Sequence, residues 1–176
     1  MVIWIYGLSG SGKTYLSKKI FNILRKKNFK VLRIDGDIIR KVFTDLNYTI
    51  EDRKINAERI SKLSNILSQQ NRIVIVSVLS LFPKWIKWNK KKIKNYFQIY
   101  INVPVKKLIL RNSKKIYRRT SSGKLNNNVA GVGIPFLRLP YNDLIINNKF
   151  NYKSLKKNLN IIFTNKKFLQ GLEKVK

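Results

Sequence analysis

The eight residues Gly7-Leu-Ser-Gly-Ser-Gly-Lys-Thr14 constrain the fold of this chain more than any other feature. They fit G-x-x-x-x-G-K-[ST] without a mismatch, between an apolar run at residues 2–6 and a helical pattern at residues 12–27. Each residue type has a physical reading. The glycines let backbone N–H groups converge on phosphate oxygens without side-chain obstruction. The helix that follows adds the positive end of its dipole. Lys13 brings a point charge to the terminal phosphates, and the Thr14 hydroxyl is a hard oxygen ligand for magnesium. Gly7, Leu8, Ser9, Gly10, Ser11, Gly12, Lys13 and Thr14 are therefore expected to cradle ATP with Mg2+. The loop alone does not separate kinases from other nucleoside triphosphatases.

Around it, strand and helix patterns alternate. Short apolar runs at residues 2–6, 30–34, 73–79 and 97–103 predict strands. Residues 73–79 are the most apolar and are expected at the centre. Leu16, Ile20, Ile23 and Leu24 form a helical stripe, and Ile38, Ile39 and Val42 mark a short second helix. Thr49-Ile-Glu-Asp52 is a capping-box pattern that opens a long helix to about residue 70, with Ile60, Leu63 and Leu67 on one face. Pro104 is expected at the first position of another helix. Over residues 111–139 the pattern weakens into basic residues, Ser, Gly and Asn, which predicts a mobile segment. Residues 160–164 read as a last strand before a terminal helix. The fold class that follows is α/β, a P-loop NTPase-type three-layer sandwich of about five parallel strands with helices on both faces. Neither a repeat nor a linker interrupts it, so residues 1–176 are read as one domain.

Composition narrows the chemistry. The chain has no Cys and no His, which excludes disulfides, thiolate metal sites and histidine bases. Its net charge is +30, from 38 Lys+Arg against 8 Asp+Glu. The lysines are spread along the chain among many Asn and Ile, a compositional bias more than a nucleic-acid patch, and nucleic acid is not expected as a partner. Trp85 and Trp88 with Lys84, Lys87 and residues 90–92 read as an amphipathic helix, aromatics inward and lysines in water. No apolar run reaches the length of a signal sequence or a membrane span, so a cytoplasmic protein is expected. The acidic residues say more. Asp35, Asp37, Asp45, Glu51, Asp52 and Glu58, six of the eight, fall within residues 35–58.

The second strand ends in Asp35-Gly36-Asp37, followed by Arg40. Strand ends on the carboxyl edge of a parallel sheet face the ligand crevice. One carboxylate there can hold a magnesium-bound water, and the other can take the proton of an attacking hydroxyl. Arg53 and Asn56, three apart at a helix start, share a face and can fork onto an acceptor phosphate or sulfate. Tyr48 can stack on a base.

Together these pieces resemble the adenylylsulfate (APS) kinase family. The similar elements are the Gly7 to Thr14 loop, Asp35-Gly-Asp-x-x-Arg40, Tyr48-Thr-x-Glu-Asp-Arg-x-x-Asn56, Ser77-x-x-Ser80, and Arg111-x-x-Lys-x-x-Tyr117 followed by Gly123. The resemblance implies transfer of phosphate from ATP to the ribose 3′-hydroxyl of adenylyl sulfate. It implies that Asp35 assists the hydroxyl, with Lys13 and Ser80 beside the reacting groups. Asp37, Arg40, Tyr48, Arg53, Asn56, Ser80 and Lys114 would bind the acceptor, and Arg111 the ATP. Residues 111–139 would be a lid over both nucleotides, with Lys114 and Arg118 as its cations. A homodimer is implied as well.

The departures lie on the acceptor side. After Ser80 the family has Pro, an aromatic and Arg, whereas this chain has Leu81, Phe82 and Pro83. The lid ends in Val129-Ala130-Gly131 where the family has Phe-Thr-Gly, and Leu137 stands where a Glu is usual. A relative of the family phosphorylates cytidine diphosphoramidate in capsule modification, and the sequence leaves that acceptor open. A non-catalytic nucleotide- or nucleic-acid-binding protein is a third reading, opposed by Lys13, Thr14, Asp35 and Asp37.

Overall fold

The computed structural model of the protein describes residues 1–43, 47–112, 116–117 and 127–175. Val2–Tyr6 forms β1, and all five of its residues are buried. A strand apolar on both faces needs cover on both, as in a parallel sheet. β1 pairs parallel with Ile73–Val78 (β3) on one side and with Tyr96–Asn102 (β4) on the other. Val31–Asp35 (β2) extends the sheet beyond β3, and Leu144–Asn147 (β5) beyond β4, all parallel, in the order β2-β3-β1-β4-β5. The helices between and after the strands are Lys13–Lys26 (α1), Gly36–Val42 (α2), Ile50–Ser68 (α3), Pro83–Lys92 (α4), Val105–Arg111 (α5), Tyr152–Thr164 (α6) and Lys166–Glu173 (α7).

Successive side chains of a strand point to opposite faces. On one face Ile3 and Ile5 pack with Leu16, Ile20 and Leu24 of α1, Ile162 of α6, and Phe168 and Leu172 of α7. On the other Val2, Trp4 and Tyr6 pack with Ile60 of α3 and Ile86 of α4. The result is the expected three-layer α/β sandwich. Each fully buried side chain of this kind stabilises by about 1.5–3 kcal/mol.

Three local expectations are corrected. The central strand is β1, not β3. Apolarity reports cover on both faces, which the two strands share, and not rank in the sheet. Residues 160–164 are not a strand but the end of α6, where Leu155, Leu159 and Ile162 repeat at helical spacing and pack on the core. A short apolar run reads alike in a strand and in a buried helix. The fifth strand is the four-residue β5, with only Ile146 fully buried. Pro104 caps α5 from outside and Val105 is its first residue. The proline inside a first helical turn is Pro83, in α4.

α4 has the amphipathic character read from its sequence. Trp85 and Ile86 are buried, Trp88 is half-buried, and its lysines are exposed. Thr49 caps α3, its hydroxyl oxygen accepting from the Asp52 N–H at 3.1 Å. Among the described residues no helix is long and apolar enough to cross a membrane.

Candidate active site

The carboxyl ends of β1, β2 and β3 open on one cavity of about 590 Å3. Gly10 (φ 76°) and Gly12 (φ 99°) of the loop after β1 take left-handed backbone conformations that favour glycine. Gly12 is also the N-cap of α1, so no side chain covers the first N–H groups of that helix, and its first turn holds no acid. These donors are left for an anion. The Lys13 ammonium folds over the loop and donates to the Leu8 carbonyl at 2.8 Å.

Asp35 ends β2, caps α2 and is buried. Its Oδ1 accepts from the Asp37 N–H at 3.0 Å. Its Oδ2 accepts from two hydroxyls, Thr14 Oγ1 at 2.8 Å and Ser77 Oγ at 2.9 Å. One carboxylate oxygen thus ties the loop after β1 to the end of β3. Thr14 and Asp35 form a pair of hard oxygen donors. Among the described residues no three carboxylate, imidazole or thiolate groups cluster to hold a metal. The donor set therefore fits a magnesium ion that completes its shell with phosphate oxygens and water.

The opposite wall is cationic. Arg40 and Arg53 stand with their guanidinium carbons 4.7 and 5.6 Å from the centre of the Tyr48 ring. Arg40 donates to the Asn47 carbonyl. Arg53 donates to the Tyr48 carbonyl at 3.0 Å and to Asn128 O at 3.1 Å. Burial, and then the neighbouring Arg40 charge, hold Arg53 below the ordinary arginine value. Two like charges held this close are relieved by an anion. Asn56 donates to the Gly36 carbonyl at 3.4 Å, and its buried Oδ1 has no hydrogen-bond partner among the described residues. Ser80 adopts φ 50°, and its Oγ accepts from the Trp4 indole N–H at 2.9 Å.

The cavity brings together Ser9, Lys13, Thr14, Asp35, Asp37, Arg40, Tyr48, Arg53, Asn56 and Ser80 from the sequence-predicted set. Gly7, Leu8, Gly10, Ser11 and Gly12 form the loop behind it. Arg111 does not line the cavity; its guanidinium lies 3.9 Å over the Phe150 ring. Lys114, Arg118, Gly123 and Asp45 lie outside the described residues. Sequence reasoning gave no role to Trp4, whose only signal was the period-two alternation that puts it on the face of Val2 and Tyr6. Leu81, Phe82, Val129 and Ala130, read from the sequence as acceptor-side departures, line the cavity as apolar walls, and Tyr117, a motif position given no role of its own, donates its hydroxyl to the Ser9 carbonyl at 3.0 Å.

The adenylylsulphate kinase family model matches residues 1–147. The chain belongs to the adenylylsulfate kinase family. Like that family, it is a phosphotransferase acting on a hydroxyl acceptor. Among its relatives is the cytidine diphosphoramidate kinase of Campylobacter jejuni, 35% identical over 147 residues, which are 84% of this chain and 85% of that one. The adenylyl-sulfate kinase of Halothermothrix orenii is 32% identical over 137 residues, 77% of this chain and 74% of that protein. In three dimensions the chain resembles the Mycobacterium tuberculosis APS kinase in complex with AMPPNP and APS. The TM-score is 0.79 at 22% identity, over 93% of this chain and 97% of the other. This likeness carries the P-loop kinase fold.

Proposed function

We propose that this adenylylsulfate kinase family member transfers the γ-phosphoryl group of ATP to the ribose 3′-hydroxyl of a nucleotide, with adenylyl sulfate as the acceptor. The observation that carries the reading is the buried Asp35 carboxylate, in contact with both the Thr14 hydroxyl and the Ser77 hydroxyl. It stands where a donor phosphate on the loop and an acceptor hydroxyl beside β3 would meet.

The steps follow from these groups. Residues 7–14 hold the ATP phosphates through backbone N–H groups and the α1 terminus, and Lys13 exchanges the Leu8 carbonyl for phosphate oxygen. Arg111 binds the nucleotide from the α5 side. Thr14 would hold magnesium, which would offset phosphate charge when bound. Arg40, Arg53 and Asn56 orient the acceptor through its anionic group, with Asp37, Tyr48, Ser80 and Lys114 completing its site. Asp35 orients the 3′-hydroxyl and takes its proton as the new O–P bond forms and the bond to the ADP oxygen breaks. Positioning and electrostatics supply most of the acceleration. We read residues 1–176 as one catalytic domain with a lid at residues 111–139, working as a cytoplasmic homodimer.

A second acceptor is favoured by a specific observation. Val129 and Ala130 form the wall where the family pattern has an aromatic for the acceptor base. The 35% identical relative bears the name of a kinase acting on cytidine diphosphoramidate. Coupled ADP release with both acceptors at equal concentration, with product mass, decides between them. Turnover with adenylyl sulfate gives a 3′-phosphorylated adenylyl sulfate. Turnover with the cytidine compound alone moves the assignment to that acceptor, and none with either overturns the reading.

A further inference from the structure

We propose that Asn148, just past β5, is a positioning residue that sets the affinity of the phosphate loop for the donor nucleotide. The proposal rests on the reading of that loop as the ATP site. Asn148 lies one residue beyond the stretch that the family model covers.

A phosphate cradle needs its N–H groups turned inward, so its carbonyl oxygens must be held elsewhere. Asn148 Nδ2 donates to the Ser11 carbonyl at 2.9 Å. The same amide is fixed at its other end, where Oδ1 accepts from the Phe150 N–H at 3.0 Å. Its backbone is anchored as well, since the Asn148 N–H donates to Asn102 O of β4 at 3.3 Å. The side chain is thus a rigid strut from the sheet to the loop. Gly12 gives independent support, because a Cβ there would lie 2.5 Å from Asn148 Nδ2. The bare backbone of Gly12 thus leaves room for the strut as well as for the left-handed turn.

Asn148→Asp separates the two ends of the strut. It keeps the acceptor for Phe150 N–H and sets a carboxylate against the Ser11 carbonyl. Asn148→Ala removes both ends. The experiment measures AMPPNP affinity by calorimetry with Mg2+ present, without acceptor, on wild type and both variants, beside thermal melting. The expected result is a dissociation constant raised about tenfold in Asn148→Ala, the loss of one net hydrogen bond, and at least as much in Asn148→Asp. Melting of Asn148→Asp should stay near wild type, and KM for the acceptor at saturating ATP should not move. Wild-type affinity in Asn148→Asp overturns the proposal, even if Asn148→Ala fails to fold. A wild-type chain that does not bind AMPPNP is a distinct failure and overturns the reading of the loop beneath it.

Discussion

At the scale of single residues, Asp35 concentrates the most consequence in the fewest atoms. Two hydroxyls and a backbone N–H converge on its carboxylate. Asp35→Asn keeps the shape but gives up the charge and the capacity to take a proton. Turnover is expected to fall about 10²–10⁴-fold, the usual range for a lost general base, with ATP affinity changed much less. Single-turnover chemistry beside nucleotide binding reads the two apart, and wild-type turnover would remove Asp35 from the mechanism. Lys13→Ala should abolish turnover and leave the melting temperature nearly unchanged, since the side chain lines the cavity and is not in the core. Both residues were legible in the sequence because their geometry is local: a glycine pattern after a strand, and an acid at a strand's end. Trp4 and Asn148 were not legible. Their partners Ser80 and Ser11 lie 76 and 137 residues away, and no local spacing encodes such a contact.

At the scale of elements, the chain approaching β5 is pinned to the centre of the sheet. The Leu139 N–H donates to the buried Tyr6 hydroxyl at 2.9 Å, and the Tyr6 ring stacks on Tyr100 at 5.0 Å. Burial drives the Tyr6 phenol up to about 12, against a partial pull downward from its hydrogen bonds to Asn142 and Leu139. A phenol raised above its unfolded value of 10.0 keeps its proton longer in the folded state. Its contribution is therefore complete below pH 10 and is lost as pH rises toward 12. Tyr6→Phe leaves a buried N–H without its partner and should cost about 1–3 kcal/mol. Denaturant unfolding at neutral pH would measure that loss, and the variant should also show a shallower decline in stability between pH 10 and 12. Equal stability of the two proteins at neutral pH would mean that Leu139 finds another acceptor. β5 escaped the sequence reading for a related reason. Four residues with one fully buried side chain carry less apolar signal than the run at 160–164, which belongs to the inner stripe of α6.

At the scale of the whole molecule, the dominant fact is a net charge of +30 on 176 residues. Self-repulsion of that size works against compactness. Raising ionic strength from about 0.02 M to about 0.2 M brings the screening length below about 10 Å, so the melting temperature in sodium chloride should rise. A fall would mean that pairs such as Lys62 with Glu58 outweigh the repulsion. The scarcity of carboxylates has a practical side. Six of the eight lie within residues 35–58, the stretch that runs along the cavity from Asp35 to Asn56. Carbodiimide-driven amidation, which elsewhere labels a protein at random, would here mark chiefly one neighbourhood. Protection of Asp37, which lines the cavity, from such a reagent would report nucleotides entering the cleft, with the exposed Glu173 as a built-in control on the far part of the chain.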